Sequence, residues 1–309
     1  MNIVTLLPSA TEIVRSLGLD DKIVGISHSC RASSLNTQQA IVTSTSVPYQ
    51  DDSETTDQFV RNYLQGAEAL YSLDLEALNR LAPDFIISQN LCDVCAVSTP
   101  DLTTALTTMA GAPEVINLEP NILRDVFDDC LRVGQALGVS SIATELVQSL
   151  SKRRDAVANL SATIADKKKP RVAFVEWLMP PFNAGHWTPE LITLAGGVDI
   201  LGNPGKPSFS LSWPDVLSTK PDVIFIGCCG FTAERSLTDI HLLSQEPENT
   251  EAWAQSPDVK IIIIDGDYFS CPGPRLIDGL EIMANALHPN QHDRVHSVAC
   301  HEARLGDFI

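Results

Sequence analysis

The sequence predicts an α/β fold of two lobes, each with a mainly parallel central sheet, joined by one long helix. Three observations carry this expectation. Short runs rich in Val and Ile alternate with helix-length amphipathic segments along the whole chain. Residues 140–169 hold apolar positions at helical spacing with no Gly or Pro among them. The chain, at 309 residues, also exceeds the ~250–300 residues at which a single hydrophobic core stops growing.

Taken in order, strands are expected at NIVTL (2–6), KIVGIS (22–27), DFIIS (84–88), EVINL (114–118), RVAFV (171–175), DVIFIG (222–227) and VKIIIID (259–265). Their nearly unbroken apolar character suits parallel strands covered on both faces. TEIVRSLG, LTTALTTMAG and LRDVFDDCLRVGQALG between them have helical spacing. SSIATELVQSLSKRRDAVANLSATIADKKK reads as a single helix stopped by Pro170. The organisation implied is an N-terminal lobe over 1–139, a linking helix over 140–169 and a C-terminal lobe over 170–309. The two lobes echo one another. LEALNRLAPDFIISQNLC (75–92) and LSWPDVLSTKPDVIFIGCCGF (211–231) each run through an amphipathic helix, a Pro-Asp turn, a buried strand and a cysteine. Duplication and a common αβ junction both account for this.

Composition excludes several classes. A net charge of −18 argues against a nucleic-acid partner, which needs clustered Lys and Arg. The one basic run, Lys167 to Lys169, reads as a solvated face. No apolar run approaches the ~20 residues of a membrane span, so no membrane insertion is expected. Eight cysteines in this length do not form a secreted disulfide framework. MNIVTLLPSATE has no early Lys or Arg and meets Pro8 at once, unlike a secretory signal. The expectation is a cytoplasmic chain with reduced thiols, or a periplasmic one if a signal precedes Met1.

Ligands of open α/β sheets sit beyond the carboxyl ends of the strands, and the chemically distinctive residues fall there. Pro8, Ser9 and Thr11 follow the first strand; His28 and Cys30 follow the second; Gln89, Asn90, Cys92 and Cys95 follow the third. In the second half, Glu176 and Trp177 follow RVAFV, and His186 and Trp187 lie in PPFNAGHW. Cys228, Cys229 and Phe231 come after VIFIG, and Tyr268 and Phe269 after IIIID. Large apolar faces with a few polar hooks suit a bulky ring ligand. Each residue also has a plainer reading. Ser9 with Glu12 fits a helix capping box, His28 a hydrogen-bonded histidine, Trp177 and Trp187 core aromatics, and Cys228 a small apolar filler.

The Cys92–Cys95 pair, at C-x-x-C spacing, leaves four roles open: lining a ligand site, metal binding, redox chemistry or structure. A zinc or iron site would draw its other ligands from His28 and Cys30, or from Cys228 or Cys229. His292, His296 and Cys300 could share a helical face, but the polar tail around them reads as a solvated terminal segment.

LLPSATEIVRSLGLDDKIVGISHSC, LNRLAPDFIIS, the long central helix, and DVLSTKPDVIFIG followed by GPRLIDGLEIMANALHP resemble the substrate-binding proteins of ABC importers for cobalamin and iron-siderophores. The resemblance covers nearly the whole chain and is nearest to the branch labelled cobalamin-binding. It implies a ligand cleft between the lobes, cobalamin or a related metal chelate as ligand, and a permease partner that such proteins meet through one acidic residue on each lobe. Glu76 matches in the first lobe and only Asp215 is available in the second. The function expected is chelate binding, as an intracellular carrier or sensor, with no catalysis. The alternatives are a metal- or thiol-dependent enzyme on the same fold, using Cys92, Cys95 and His28, and an importer component whose export signal is not in this sequence.

Overall fold

The computed structural model describes residues 1–30, 39–48, 52–65, 70–89, 102, 106–107, 109, 111–290 and 300–309. The chain forms two compact units. The first comprises Met1–Gln50, Thr55–Pro120 and Arg124–Val147; the second comprises Asp51–Glu54, Asn121–Leu123 and Gln148–Ile309. The expected alternation of strands and helices is present, and each expected strand forms within a residue or two of its sequence run, except that RVAFV extends to Leu178. The helix expected over LTTALTTMAG lies largely outside the described residues.

The first unit is built on a parallel sheet of β1 (Ile3–Thr5), β2 (Ile23–Ile26), β3 (Ala40–Ile41), β6 (Phe85–Gln89) and β7 (Glu114–Leu118), in the order β3, β2, β1, β6, β7. Ile3, Val4, Ile86 and Ile87 have no exposed surface, because helices Pro8–Ser16 and Leu123–Ala136 contribute Ile13, Val14, Cys130 and Val133 to the same core. A short antiparallel pair, β4 (Thr43–Thr45) and β5 (Tyr71–Leu73), stands beside this sheet with Thr45 opposite Tyr71.

The second unit centres on β8 (Arg171–Leu178), β11 (Val198–Asp199), β13 (Val223–Ile226), β14 (Lys260–Ile263) and β15 (His301–Arg304), ordered β11, β8, β13, β14, β15, with β9 (Pro181–Asn183) folded back on β8. Only β15 and β9 run antiparallel to their neighbours. Ala173, Val175, Ile224, Ile226, Ile261 and Ile263 share one core cluster. Alternation along the strands sends Phe174, Phe225 and Ile262 to the opposite face, where Phe174 meets Phe225 and Phe269. A further pair, β10 (Gly185–His186) and β12 (Asn203–Pro204), is parallel.

Two expectations are corrected. The long helix spans Ser140–Ala162 and does not reach residue 169. Thr163 turns its hydroxyl onto the Leu160 carbonyl at 2.7 Å, a local bond that competes with the helical ladder, and Ala165 is extended before a short turn at Asp166–Lys168. The tail is not a solvated segment throughout: His301–Arg304 joins the sheet and Leu305 is fully buried in the second core.

The echo between the lobes has a structural counterpart. Helices Leu75–Leu81 and Trp213–Ser218 are N-capped by Asp74 and Ser212. Left-handed residues, Ala82 (φ 44°) and Lys220 (φ 54°), follow them before Pro83-Asp84 and Pro221-Asp222. Asp84 Oδ2 then accepts the Asn2 backbone N–H at 2.7 Å, and Asp222 Oδ2 accepts that of Arg171 at 2.7 Å. Each aspartate thus fastens the start of the parallel strand next to its own.

Candidate functional site

In the first unit the strand ends gather Thr11, His28, Cys30 and Gln89. Thr11 Oγ1 lies 2.6 Å from Thr5 Oγ1 and 3.3 Å from Cys30 Sγ, all buried. The expected Ser9 capping box is absent. Pro8 occupies the first helical turn, which moves the N-cap to Leu7, and no side chain caps this helix. Ser9 is instead buried with its hydroxyl unpartnered. Gln89 is buried at the end of β6. Asn90, Cys92 and Cys95 lie outside the described residues. Of the metal set expected from His28, Cys30, Cys92 and Cys95, only the first two can therefore be placed, and Cys30 turns its thiol to Thr11. Among the described residues no group of three or more His, Cys, Asp or Glu side chains converges as a metal site.

His28 follows β2 and is half-buried. Its ring Nδ1 is 2.6 Å from Thr43 Oγ1 and its ring centroid 5.3 Å from that of Tyr71. Burial pushes its pKa below the ordinary 6.5, because the imidazolium loses solvation. The β4–β5 pair is what carries Thr43 and Tyr71 to this histidine.

In the second unit the strand-end residues divide by exposure. Trp187, Cys228, Phe231 and Phe269 are buried to 5 % exposure or less. Trp187, for which the sequence left ligand binding and core packing open, immediately precedes helix Thr188–Leu194, and its indole N–H donates to the Phe269 carbonyl at 2.7 Å. Cys228 is held protonated by burial, which raises its thiol pKa. Gly266 lets two strand-end loops meet, since any Cβ there would strike the Cys228 carbonyl. These residues form a scaffold on which Glu176, Trp177, His186 and Tyr268 stand half-exposed.

Trp177 packs against Phe231 at 4.9 Å between centroids, and the Arg235 guanidinium covers the Phe231 ring at 3.6 Å, a cation–π arrangement. The Trp177 Nε1 and His186 Nδ1 atoms are buried without a hydrogen-bond partner. His186 stacks on Trp187 at 5.4 Å and has its pKa lowered by burial. Tyr268 has its pKa raised, chiefly by burial, with Arg275 5.8 Å from its ring.

The periplasmic binding protein family profile matches residues 3–260. The chain belongs to the periplasmic binding protein family. Among its relatives is the vitamin B12-binding protein of Vibrio cholerae, 23 % identical over 294 residues covering 92 % of this chain and 88 % of that protein. An uncharacterised ABC transporter substrate-binding lipoprotein of Bacillus subtilis is 20 % identical, covering 93 % and 80 %. A periplasmic haem-binding protein from Pseudomonas aeruginosa has a similar structure, with TM-score 0.67 and 19 % identity over 98 % of this chain and 97 % of that one. The crystal structure of the Vibrio cholerae vitamin B12-binding protein aligns with TM-score 0.61 and 20 % identity over 94 % and 98 %. At such identities these likenesses show the fold. By their names these relatives are binding proteins rather than enzymes, and periplasmic proteins or a lipoprotein, so the cytoplasmic expectation finds no support among them. No helix among the described residues is long and apolar enough to cross a membrane.

Sequence reasoning missed Thr43, Tyr71 and Arg235. Arg235 had a readable signal, four residues after Phe231 at a helix start. Thr43 and Tyr71 had none, because strand pairing between distant segments brings them to His28. Asp215, the expected second-lobe contact for a permease, is exposed but occupied. Its carboxylate accepts from Ser212 Oγ at 2.6 Å and from the Ser212 N–H at 3.1 Å, completing a capping box. Glu76 is exposed in the first turn of its helix.

Proposed function

We propose that this chain captures a large metal chelate, cobalamin or a related corrinoid or haem, and delivers it to an ABC permease. The observation that carries the reading is the pairing, at the strand ends of the second unit, of a platform made by the half-exposed Trp177 backed by the buried Phe231 with two buried unpartnered polar atoms, Trp177 Nε1 and His186 Nδ1. A flat ring system bearing amide or carboxylate groups has the apolar face for the platform and acceptors for those nitrogens. Membership of a binding-protein family favours capture and delivery over catalysis. Intracellular storage or sensing uses the same binding step without the permease.

The test is equilibrium titration of the purified protein with cyanocobalamin, ferric haem and a ferric hydroxamate siderophore, followed by tryptophan fluorescence and visible absorption. Saturable one-to-one binding of at least one, weakened about tenfold or more by Trp177→Ala, is expected, since losing a stacking aromatic removes on the order of 1–3 kcal/mol. Failure of all three to bind overturns the reading.

A further inference from the structure

In the second unit, Phe231 is fixed through both its backbone and its ring. Its N–H donates to the Cys228 carbonyl at 3.0 Å, and its carbonyl accepts the Gly266 N–H at 3.0 Å. The buried ring has the Arg235 guanidinium over it at 3.6 Å and the half-exposed Trp177 ring at 4.9 Å. A guanidinium that close fills one face of the ring, so Trp177 meets the other face or the edge. Arg235, Phe231 and Trp177 thus form a stack that ends in the half-exposed indole.

Local electrostatics single out Arg235. It is the third residue of helix Ala233–Leu243, and the N-cap Thr232 accepts its backbone N–H at 3.2 Å. A capping box carries Glu or Gln at this position, and the helix dipole favours anions over cations in the first turn. Asp265 supplies the anion from another segment, accepting the Ala233 N–H at 2.7 Å. A side chain placed against its local preference, with a compensating partner brought from elsewhere, marks a demand that the helix alone does not make.

We propose that Arg235 is a positioning residue for ligand binding, holding Phe231, and through it Trp177, in the orientation that receives the ligand's ring system. This rests on the chelate-binding reading above and deepens it. Arg235 acts from behind the platform, and its contribution is preorganisation. An indole already held in place loses less rotamer freedom when the ligand arrives.

The test titrates cyanocobalamin, ferric haem and a ferric hydroxamate siderophore into the wild-type protein, Arg235→Gln, Arg235→Lys, Trp177→Ala and the double variant Arg235→Gln with Trp177→Ala. Circular dichroism and Tm check each fold. Gln restores the residue type of a capping box, so the helix start is expected to hold and Tm not to fall. With whichever ligand binds, Arg235→Gln is expected to weaken affinity about three- to tenfold, and Arg235→Lys, which keeps a cation, less. On the Trp177→Ala background Arg235→Gln is expected to cost nothing further, because its influence passes through the indole. Without ligand, acrylamide quenching of Trp177, taken as the difference from Trp177→Phe on each background, is expected to rise in Arg235→Gln. Unchanged affinity in Arg235→Gln, or losses that add in the double variant, overturn the positioning role and leave chelate binding standing. Failure of all three ligands to bind overturns the chelate reading and, with it, the role of Arg235 in binding. Unchanged quenching in Arg235→Gln overturns its hold on the indole whether or not a ligand binds.

Discussion

His186 adopts φ 51°, a left-handed backbone that costs a residue with a side chain roughly 1–2 kcal/mol. It holds there a ring nitrogen buried without a partner. Because burial lowers its pKa below 6.5, the folded state holds fewer protons than the unfolded chain between that lowered value and 6.5. The stability involved is complete above about pH 6.5 and is lost as pH falls through the folded value. His186→Asn, whose side chain tolerates the left-handed backbone, is expected to flatten the acid side of a plot of Tm against pH from about 8 to about 5. Equal slopes in variant and wild type would contradict this. At this scale the sequence revealed the strand-end position of His28, because an apolar run ends visibly before it, whereas Trp177, expected after its strand, lies within β8 and His186 within β10. It could not reveal their partners. Thr43 meets His28 only through strand pairing, Ser9 lost its capping role to Pro8 one residue earlier, and Trp187 finds its acceptor on Phe269, 82 residues further on.

Between residues and the whole lie the helix-to-strand junctions. In both units a Pro-Asp pair follows a left-handed residue, and its aspartate accepts the first backbone N–H of the neighbouring strand. The backbone repeats the same tie, Asp84 N–H to the Asn2 carbonyl at 2.8 Å and Asp222 N–H to the Arg171 carbonyl at 2.9 Å. The junction therefore sets the register of the two strands whose far ends carry the candidate residues. Asp84→Ala and Asp222→Ala are each expected to cost about 1 kcal/mol, the net value of one hydrogen bond, and to be additive because they lie in separate units. Chemical denaturation of both single variants and the double one checks this. A cost confined to one site would show that the two junctions are not equivalent. The turn was legible from Pro-Asp alone; the clamp was not, since its second partner lies 51 residues away in one case and 82 in the other.

At the scale of the whole molecule, alternation of strands and helices made the architecture readable, while the polar tail concealed a strand with little apolar pattern. Within the second unit, Arg153 fixes the later part of the long helix to helix Arg275–Leu287. Its guanidinium bonds both Glu281 oxygens, at 2.8 and 2.7 Å, and Asp278 at 2.6 Å. Arg153→Met removes the cation and leaves two carboxylates side by side. A loss of about 1–2 kcal/mol is expected after allowing for partial solvent screening, seen as a lower urea midpoint; an unchanged midpoint would assign the cluster no role in stability. The tail strand β15 has a different importance. It covers Ile261, Ile262 and Ile263 through a short polar partner, Ala303, Glu302 and His301. Were proteolysis to clip the chain before residue 300, the amide and carbonyl row of an isoleucine strand would lie open, a template onto which a second clipped chain could add. Truncation there is expected to produce turbidity on mild warming at protein concentrations where the full chain stays clear, and equal light scattering from both would refute it. A few polar residues at the end of the chain would then act as its guard against self-propagating aggregation.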